Sequence, residues 1–379
     1  MTTAGDVLRL VRSGRAGSRS DVARLTGLSR TAVNARVGAL VKDGLLIAGE
    51  ELASTGGRPA SGLVFHHEAG LVLAVAIGRS RSQVAVLDLS GHELATSSVG
   101  HEVGAAPDVV MPVVADQLAR LLGALPSRPV LGTGISIPGT VDPVRGVSID
   151  SPAMPGWDGV DLTGYLVDLS TGPVYIGNDA DVLARSERLG HGVTYRDLIV
   201  VKASTGLGLG IIAGGRVISG HLGAAGEIGH TKVTAAVGLP CRCGDTGCLE
   251  TLASGWALVA RLRAEGRPVD HVRDLTALAS AGDPEAKHHL RESGKQLGEV
   301  LAVAINLLNP QAVVLGGDMG AAFDVFAAGV RESVYSRASA LATRDLRFVP
   351  STYGDRAGLV GCAVLALDQV LSPAAGGAR

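Results

Sequence analysis

The feature that most restricts the fold of this chain is a cluster of cysteines near its middle. The 379 residues include four cysteines, and three of them, Cys241, Cys243 and Cys248, fall within the segment CRCGDTGCLE. Thiolates at this Cys-x-Cys-x4-Cys spacing can all reach one tetrahedral metal ion, which then closes the loop around itself. Free cysteines in a glycine-rich turn are the alternative. The spacing favours a zinc loop, and we expect the remaining Cys362 to be a core residue of an apolar helix.

Charge divides the chain into a basic head and an acidic body. Residues 1–65 hold 9 Lys and Arg against 5 Asp and Glu, the remainder holds 25 against 31, and the balances of +4 and −6 sum to the net charge of −2. A basic segment of this kind is typical of a small nucleic-acid-binding module. No apolar run approaches the roughly 18 residues of a membrane span, and no signal-peptide pattern opens the chain. We therefore expect a cytoplasmic protein with no membrane partner.

The basic head has the pattern of a winged helix-turn-helix over residues 1–52. Gly27 suits a left-handed turn between two helices, and Ser29 is placed to cap the second of them. One face of that helix is apolar. The opposite face predicts contacts to DNA from Arg30, Thr31, Asn34 and Arg36. A three-helix module with a solvated polar face is the alternative.

Residues 53–64 are predicted to form a linker and the end of the wing, because ASTGGRPASG is rich in Gly, Ser and Pro. Arg58 stands between a glycine and a proline, in an extended stretch that can enter the minor groove of DNA. A flexible spacer that happens to contain an arginine is the alternative.

The acidic body, residues 65–379, alternates strands with helices, which indicates α/β architecture. The segments 71–88 and 198–218 each place a glycine turn between apolar strands. This repetition predicts two related lobes with a cleft between them.

Six motifs of the body resemble the ROK family, named for repressors, open reading frames and kinases. They are ISIPGTVD (135–142), PGW (155–157), NDADVLA (178–184), STGLGLGI (204–211), GHLGAAGEIGH (220–230) and CRCGDTGCLE (241–250). The resemblance implies a two-lobed actin-like, sugar-kinase (ribonuclease H-like) domain that binds a sugar. With the winged head ahead of it, the whole chain resembles the transcriptional regulators of the family.

The resemblance also implies site residues. It makes His230 the fourth ligand beside the three cysteines, which leaves no position for water and gives one structural Zn²⁺ per chain. It implies sugar contacts from Asn178, Asp179, Glu227, His230 and Glu250. Sugars require several convergent polar groups to replace water on each hydroxyl, and these side chains are of suitable types. Taken singly, each is equally compatible with an ordinary surface role.

The phosphate-binding hairpins depart from the pattern of the family's kinases. Where those kinases have Asp-x-Gly-Gly-Thr, this chain has AIGRS, so Ala76 replaces the acid that organises magnesium and Arg79 replaces the second glycine. The second hairpin departs at Ser204 and Leu209, whereas the family's base position, Asp179, is kept. We expect no kinase activity, because phosphoryl transfer depends on organised metal and phosphate contacts.

These observations predict a sugar-responsive DNA-binding regulator, a repressor of carbohydrate metabolism genes. Its expected partners are a monosaccharide or short oligosaccharide and a double-stranded inverted-repeat operator, bound by a homodimer or homotetramer because paired heads read paired half-sites. The alternative is an ATP-dependent, glucokinase-like sugar kinase carrying a DNA-binding head.

Overall fold

The computed structural model describes residues 2–51, 61–142, 144–149, 151, 154–170 and 172–372. The chain begins with three helices and an antiparallel two-stranded wing. These elements are α1 (Ala4–Arg12), α2 (Arg19–Thr26), α3 (Arg30–Lys42), β1 (Leu46–Glu51) and β2 (Ser61–Phe65). The predicted winged helix-turn-helix is therefore present, and its second wing strand takes up the last residues of the predicted linker. Arg58 lies outside the described residues.

Local chemistry explains the helix boundaries of the head. Gly27 ends α2 with φ of +70°, a left-handed conformation that glycine adopts without a Cβ clash. Ser29 caps α3, its hydroxyl accepting from the Ala32 amide at 3.2 Å. Not every apolar residue of these helices is buried, since Leu25 of α2 is 37% exposed and Val41 of α3 is 44% exposed.

The first lobe is a five-stranded mixed sheet in the order β5-β4-β3-β6-β9. Its strands are β3 (Leu71–Ile77), β4 (Arg81–Asp88), β5 (Glu93–Gly100), β6 (Val130–Ile137) and β9 (Val174–Asn178), with a small hairpin of β7 (Thr140–Asp142) and β8 (Val147–Ile149). Alternate residues of β3 face opposite sides of the sheet. Leu73 and Val75 pack toward α4 (Pro107–Gly123), whereas Val72 and Ala74 pack toward the C-terminal helix.

The second lobe repeats this topology in the order β12-β11-β10-β13-β14. Its strands are β10 (Leu198–Ala203), β11 (Leu207–Ala213), β12 (Arg216–Val217), β13 (Ala312–Gly316) and β14 (Arg347–Pro350). In both lobes three consecutive antiparallel strands are followed by two parallel ones. The expectation of two related lobes is confirmed.

Two helices lie between the two sheets. Helix α5 (Asp179–Glu187) packs on the second sheet, α12 (Ala357–Val370) packs on the first, and the two helices contact each other. Glycines permit these close approaches. A Cβ at Gly361 of α12 would lie 1.9 Å from the Val182 carbonyl oxygen, and one at Gly210 of β11 would lie 2.5 Å from the Ala184 Cβ.

The outer face of the second lobe is helical. Its helices are α6 (Glu250–Ala253), α7 (Gly255–Ala264), α8 (Val272–Ser280), α9 (Pro284–Leu308), α10 (Phe323–Arg337) and α11 (Ala340–Thr343). The core of the head is continuous with the α12 side of the first lobe, where Val7, Leu46 and Leu63 share a cluster with Leu367 and Leu371. Within the described residues, none of the helices is both long and apolar enough to cross a bilayer.

Candidate functional site

A cleft of about 1100 Å³ lies between the two lobes. All five residues that the sequence predicts as sugar contacts line this cleft: Asn178, Asp179, Glu227, His230 and Glu250. Their convergence follows from the topology, because β9 of the first lobe ends at Asn178 while the loops after β12 supply the other side. The cleft therefore presents carboxylate, amide and imidazole groups from both lobes to one volume.

On the first-lobe side, Asn178 and Asp179 begin α5. The Asn178 side chain caps the helix, its oxygen accepting from the Ala180 amide at 2.8 Å, and its amide nitrogen donates to the Gly139 carbonyl at 2.8 Å. One Asp179 carboxylate oxygen lies 2.7 Å from the Lys202 ammonium nitrogen. Burial acts to lower the pKa of Lys202, but the charge and hydrogen bond of Asp179, together with the charges of Asp318 and Glu250, outweigh it and raise the pKa. Asp179 thus stands in the cleft as one half of an ion pair.

On the second-lobe side, Glu227 and Glu250 have different surroundings. Burial raises the pKa of Glu227, whose carboxylate accepts a long hydrogen bond of 3.4 Å from the Thr140 hydroxyl across the cleft. Glu250 accepts from the Leu207 amide at 2.7 Å and from the Trp256 indole at 3.2 Å. Glu250 is therefore fixed by the protein, while Glu227 keeps more hydrogen-bonding capacity for a ligand.

Two arginines also face the cleft near Glu250. Arg79 stands in the β3–β4 turn, and its Nε atom is buried with no hydrogen-bond partner in the described part of the chain. Arg242 stacks on Trp256, with the guanidinium carbon 4.6 Å from the ring centroid. Burial lowers the pKa of both groups, and the like charge of Arg79 lowers that of Arg242 further. The cleft thus contains cations as well as acids.

Next to the cleft, His230, Cys241, Cys243 and Cys248 bring four donor atoms within 4.8 Å of one another. The Cys243 and Cys248 sulfurs are 3.7 Å apart, and the Cys241 sulfur is 3.8 Å from His230 Nδ1. A tetrahedron with metal–sulfur bonds of about 2.3 Å has sulfur–sulfur edges of about 3.8 Å. The spacing therefore fits a metal ion, as the sequence predicts.

The turns of this loop depend on glycine. Gly244 and Gly247 have φ of +89° and +79°, so the chain reverses between the cysteines in conformations that other residues rarely adopt. Lys232 donates to the Cys248 sulfur at 3.1 Å and to the Thr246 carbonyl at 2.8 Å. Hydrogen bonds and the Lys232 charge outweigh burial and lower the pKa of Cys243, which favours the thiolate, the form in which cysteine binds metal. With His230 Nδ1 facing the sulfurs, Nε2 is the ring nitrogen left for the cleft.

In the head, Arg30, Thr31 and Asn34 are exposed together on one face of α3. Arg36 lies elsewhere. Its Nε donates to the Thr2 carbonyl at 2.7 Å and its Nη1 to the Ala32 carbonyl at 3.1 Å, so the structure ties this side chain to the N-terminus of the head. In this structure the exposed face therefore presents Arg30, Thr31 and Asn34, while the Arg36 side chain is bonded within the head.

The hairpin glycines have a packing role that sequence reasoning did not anticipate. A Cβ at Gly206 would lie 2.7 Å from a Glu250 carboxylate oxygen, and one at Gly208 would lie 2.8 Å from the Ala180 Cβ. Gly206 therefore leaves room for the Glu250 carboxylate, and Gly208 leaves room for α5 to pack on the hairpin. Both roles hold whether or not a nucleotide binds. In the first hairpin, Ala76 packs against α12, where a Cβ at Gly358 would approach it to 3.0 Å.

Sequence reasoning also missed Lys202, Arg242 and Trp256 as parts of the site. Lys202 had a signal, because a single lysine interrupts the apolar strand LIVVKA. Arg242 sits between two predicted metal ligands, and Trp256 is one of only two tryptophans in the chain. None of these signals indicates which side chain each residue contacts, and those contacts are seen only in the tertiary structure.

Comparisons with known proteins agree with this architecture. The ROK family model matches residues 72–369, and a winged helix-turn-helix DNA-binding model matches residues 17–47. The xylose repressor of Bacillus subtilis (strain 168) is 27% identical over 357 residues, covering 93% of this chain and 92% of the repressor. The N-acetylglucosamine repressor of Escherichia coli O157:H7 is 28% identical over 371 residues, covering 93% and 89%.

Solved structures of other proteins also match this chain over most of its length. A ROK family transcriptional regulator, a homolog of the E. coli MLC protein, matches with a TM-score of 0.82 and 26% identity over 98% of this chain and 96% of its own. A ROK family glucokinase from Streptomyces griseus, in complex with glucose and AMPPNP, matches with a TM-score of 0.68 and 29% identity over 78% and 99%. The family model covers most of the chain and a winged helix-turn-helix precedes it, so this protein belongs to the ROK family, in the branch of its transcriptional regulators.

Proposed function

We propose that this protein is a sugar-responsive, DNA-binding transcriptional repressor of carbohydrate metabolism genes. The observation that carries the proposal is the joining of a winged head, with exposed Arg30, Thr31 and Asn34 on α3, to a two-lobed cleft lined by Asp179, Glu227 and His230. The relatives named as xylose and N-acetylglucosamine repressors support it. A sugar held by both lobes favours one lobe arrangement, and that preference can be passed to the head.

The proposed sugar contacts are Asn178, Asp179, Glu227, His230 and Glu250. Their geometry supports unequal roles. The side chains of Asn178 and Glu250 already form hydrogen bonds within the protein. They therefore maintain the shape of the cleft and offer few donor or acceptor atoms to a ligand. Asp179 and Glu227 retain acceptor oxygens, and Asp179 is held in place by Lys202. We expect these two carboxylates to make the main contacts to sugar hydroxyls.

The proposed metal is one structural Zn²⁺ per chain, held by His230 and the three cysteines. The donor set supports zinc, because three thiolates and one imidazole at tetrahedral spacing are typical of structural zinc sites. Bound there, zinc would fix the ring of His230, whose other nitrogen is then oriented for the ligand.

A sugar kinase is the second candidate, because Asp179 stands in the cleft and the S. griseus glucokinase has a similar fold. The first phosphate hairpin speaks against it. Ala76 offers no metal ligand, and Arg79 stands in the turn at a position where the family's kinases have a glycine that lets phosphates approach the backbone. The ion pair with Lys202 also occupies part of the carboxylate that would accept a proton.

The proposed assembly is a homodimer or homotetramer that binds an inverted-repeat operator in the cytoplasm, with no membrane partner. One recognition helix reads few base pairs, so two heads related by a two-fold axis are needed for a specific site. We place Arg30, Thr31 and Asn34 at the bases and phosphates, and Arg58 in the adjacent minor groove.

A single set of titrations tests the function. Monosaccharides and short oligosaccharides are screened by thermal shift, since a ligand of the native state raises its melting temperature. The best ligand is then added to an operator gel-shift titration, and the same sugar is offered with ATP in a coupled kinase assay. We expect the sugar to change the operator affinity. We expect no phosphorylation of the sugar at the turnover number of roughly 1 s⁻¹ that marks the slow end of typical kinases. Kinase-like turnover without any effect on DNA binding would favour the second candidate.

A further inference from the structure

A second group of side chains suited to metal binding lies on the outer helical face of the second lobe. Glu265, Glu285 and His289 each bring one potential ligand atom within 4.8 Å of the other two. None of the three lines the cleft, and none belongs to the cysteine loop. This group is therefore separate from the sites described above.

Two of these side chains come from one helix. Glu285 lies in the first turn of α9 and His289 lies one turn later, so both project from the same side of the helix. Glu265 comes from a different segment, because it is the C-cap residue of α7. Two ligands one helical turn apart, joined by a third from a neighbouring segment, form an arrangement with which helical proteins hold a metal ion.

His289 is the buried member of the group. Its side chain is 9% exposed, and its Nε2 atom lies 3.1 Å from a Glu265 carboxylate oxygen. Metal bonds of about 2.0–2.1 Å to nitrogen and oxygen separate neighbouring donor atoms on a tetrahedral ion by about 3.3 Å. The imidazole and the carboxylate are thus already close to the spacing that one shared ion requires.

Carboxylates outnumber cations around this imidazole. Arg267 contacts both Asp283 and Glu285, and it is the only lysine or arginine within ion-pair distance of either in the described part of the chain. Glu265 pairs with His289 alone. Arg267 donates to Oε2 of Glu285 at 2.8 Å, which leaves Oε1 of that carboxylate for another ligand. A divalent cation bound there is attracted by more negative charge than one arginine cancels.

We propose that Glu265, Glu285 and His289 form a second metal site, for a divalent ion of the first transition row such as Mn²⁺ or Zn²⁺. One imidazole and two carboxylates are ligands that these ions accept. Three protein ligands leave at least one coordination position to water, so this ion exchanges with solvent more readily than one enclosed by the four ligands of the cysteine loop. Bound here, it joins the end of α7 to the first two turns of α9. This site goes beyond the proposed sugar-sensing function and does not depend on it.

The test titrates Mn²⁺ and then Zn²⁺ into full-length protein whose cysteine loop has been saturated with zinc and whose excess metal has been removed. Mn²⁺ comes first because thiolates prefer zinc to it, so it leaves the loop occupied. The variants are Glu265→Gln and His289→Gln. The matched control is His288→Gln, which replaces an exposed histidine beside His289 on α9. Calorimetry measures the stoichiometry and the dissociation constant, and the melting temperature is recorded with and without metal.

We expect about one ion per chain to bind beyond the zinc of the loop. Glu265→Gln and His289→Gln should each weaken it at least about tenfold and remove its effect on the melting temperature. His288→Gln should leave the dissociation constant nearly unchanged. Glu265→Gln separates metal binding from folding, because the Glu265 side chain is 39% exposed whereas His289 is buried.

Three results would overturn the proposal. If no ion binds beyond the loop, His289 and Glu265 form an ordinary hydrogen-bonded pair. If the affinity is unchanged in Glu265→Gln, the metal is held elsewhere. An equal loss in His288→Gln would mean that the exposed histidine of α9 chelates the ion instead. None of these results bears on sugar binding, because the three proposed ligands lie outside the cleft.

Discussion

At the scale of single residues, helix α3 shows how a small rotation decides what a side chain can contact. Each residue advances by about 100° on a helix, so Asn34 and Arg36 point about 200° apart. Asn34 shares its exposed face with Arg30 and Thr31, whereas Arg36 turns toward the start of the chain and donates to the Thr2 carbonyl. The sequence indicates residue types suited to DNA, but the tertiary contact at the N-terminus determines which of them face outward.

This difference predicts opposite behaviour for two alanine variants. Asn34→Ala should weaken operator binding by about 1–3 kcal/mol, the usual value of a paired base contact, and leave the free energy of unfolding nearly unchanged. Arg36→Ala should instead lower the stability of the head by about 1 kcal/mol through lost hydrogen bonds. Gel shifts and denaturant titrations of both variants measure the two effects. If both variants lost operator affinity equally and neither lost stability, Arg36 would contact DNA as Asn34 does.

Asp181 predicts a pH effect of known sign. Burial raises the pKa of this carboxyl, which accepts a hydrogen bond from Ser219. The folded state therefore keeps a proton that the unfolded state has lost, and stability falls as pH rises from the ordinary aspartate pKa through the raised one. Asp181→Asn removes this loss, so its stability relative to the wild type should be higher at pH 8 than at pH 4, close to the ordinary aspartate pKa of 3.8.

Denaturant unfolding at both pH values measures this difference, with Asp116→Asn, an exposed substitution on α4, as the control. The control should show the same difference from the wild type at both values. A relative stability of Asp181→Asn that falls with rising pH would reverse the sign and contradict the burial argument.

At the scale of elements, the metal loop was predictable where its chemistry is local and unpredictable where it is not. The Cys-x-Cys-x4-Cys spacing indicates three ligands directly, and its glycines indicate the turns. In contrast, Lys232 outside this spacing donates to the Cys248 sulfur. In the neighbouring cleft, Lys202 of β10 pairs with Asp179 at the start of α5. These two contacts depend on how separate segments meet in space, which no local pattern encodes.

Cys243→Ser should lose the metal and the sugar affinity together, because His230 belongs to both sites. We expect metal content to fall from about one ion per chain to near zero, and sugar affinity to fall at least about tenfold. Cys362→Ala, in a helix outside the loop, is the control and should keep both. Elemental analysis and calorimetry measure the two quantities, and sugar affinity that survives complete loss of metal would separate the sites.

The same loop should bind its metal more tightly as pH rises. In the metal-free chain, burial raises the pKa of Cys241 well above its ordinary value. The incoming metal must then displace a proton from this thiol, so metal affinity increases with pH. Competition with a chelator at several pH values measures this slope, and a pH-independent affinity would exclude thiol deprotonation on binding.

At the scale of the whole molecule, the two lobes and the head could be predicted as parts, but their connection could not. Repeated glycine hairpins indicate paired lobes, and the charge difference indicates a separate head. The contacts that connect the lobes with the head are seen only in the structure. Helix α5 begins at Asp179 in the cleft, and near its other end Arg188 donates to Asp368 of α12. Burial lowers the pKa of Arg12 in the head, and the charges of Asp368 and Arg188 also act on this guanidinium.

This arrangement gives a route by which sugar binding can reach DNA. A ligand that closes the cleft around Asp179 acts on the first turn of α5, and α5 packs along α12. Helix α12 shares an apolar cluster with the head, in which Leu367 is grouped with Val7 of α1, so a movement of α12 can be passed on through this cluster. A ligand alters operator affinity only through its different affinities for the two arrangements, with coupling of about 1–3 kcal/mol in typical cases.

Asp368→Asn should therefore uncouple the two ends of the molecule. The substitution leaves Arg185 and Arg188 without their shared carboxylate, and it removes a negative charge that acts on Arg12. We expect sugar to release the wild-type protein from its operator with a 5- to 150-fold loss of affinity, and this response to fall below about threefold in the variant. Sugar affinity should change little, because the cleft is not altered. The exposed Asp116→Asn, on α4 across the first sheet from α12, should retain the full response. Gel-shift titrations with and without saturating ligand decide the matter, since a full response in Asp368→Asn would mean that the signal reaches the head by another path.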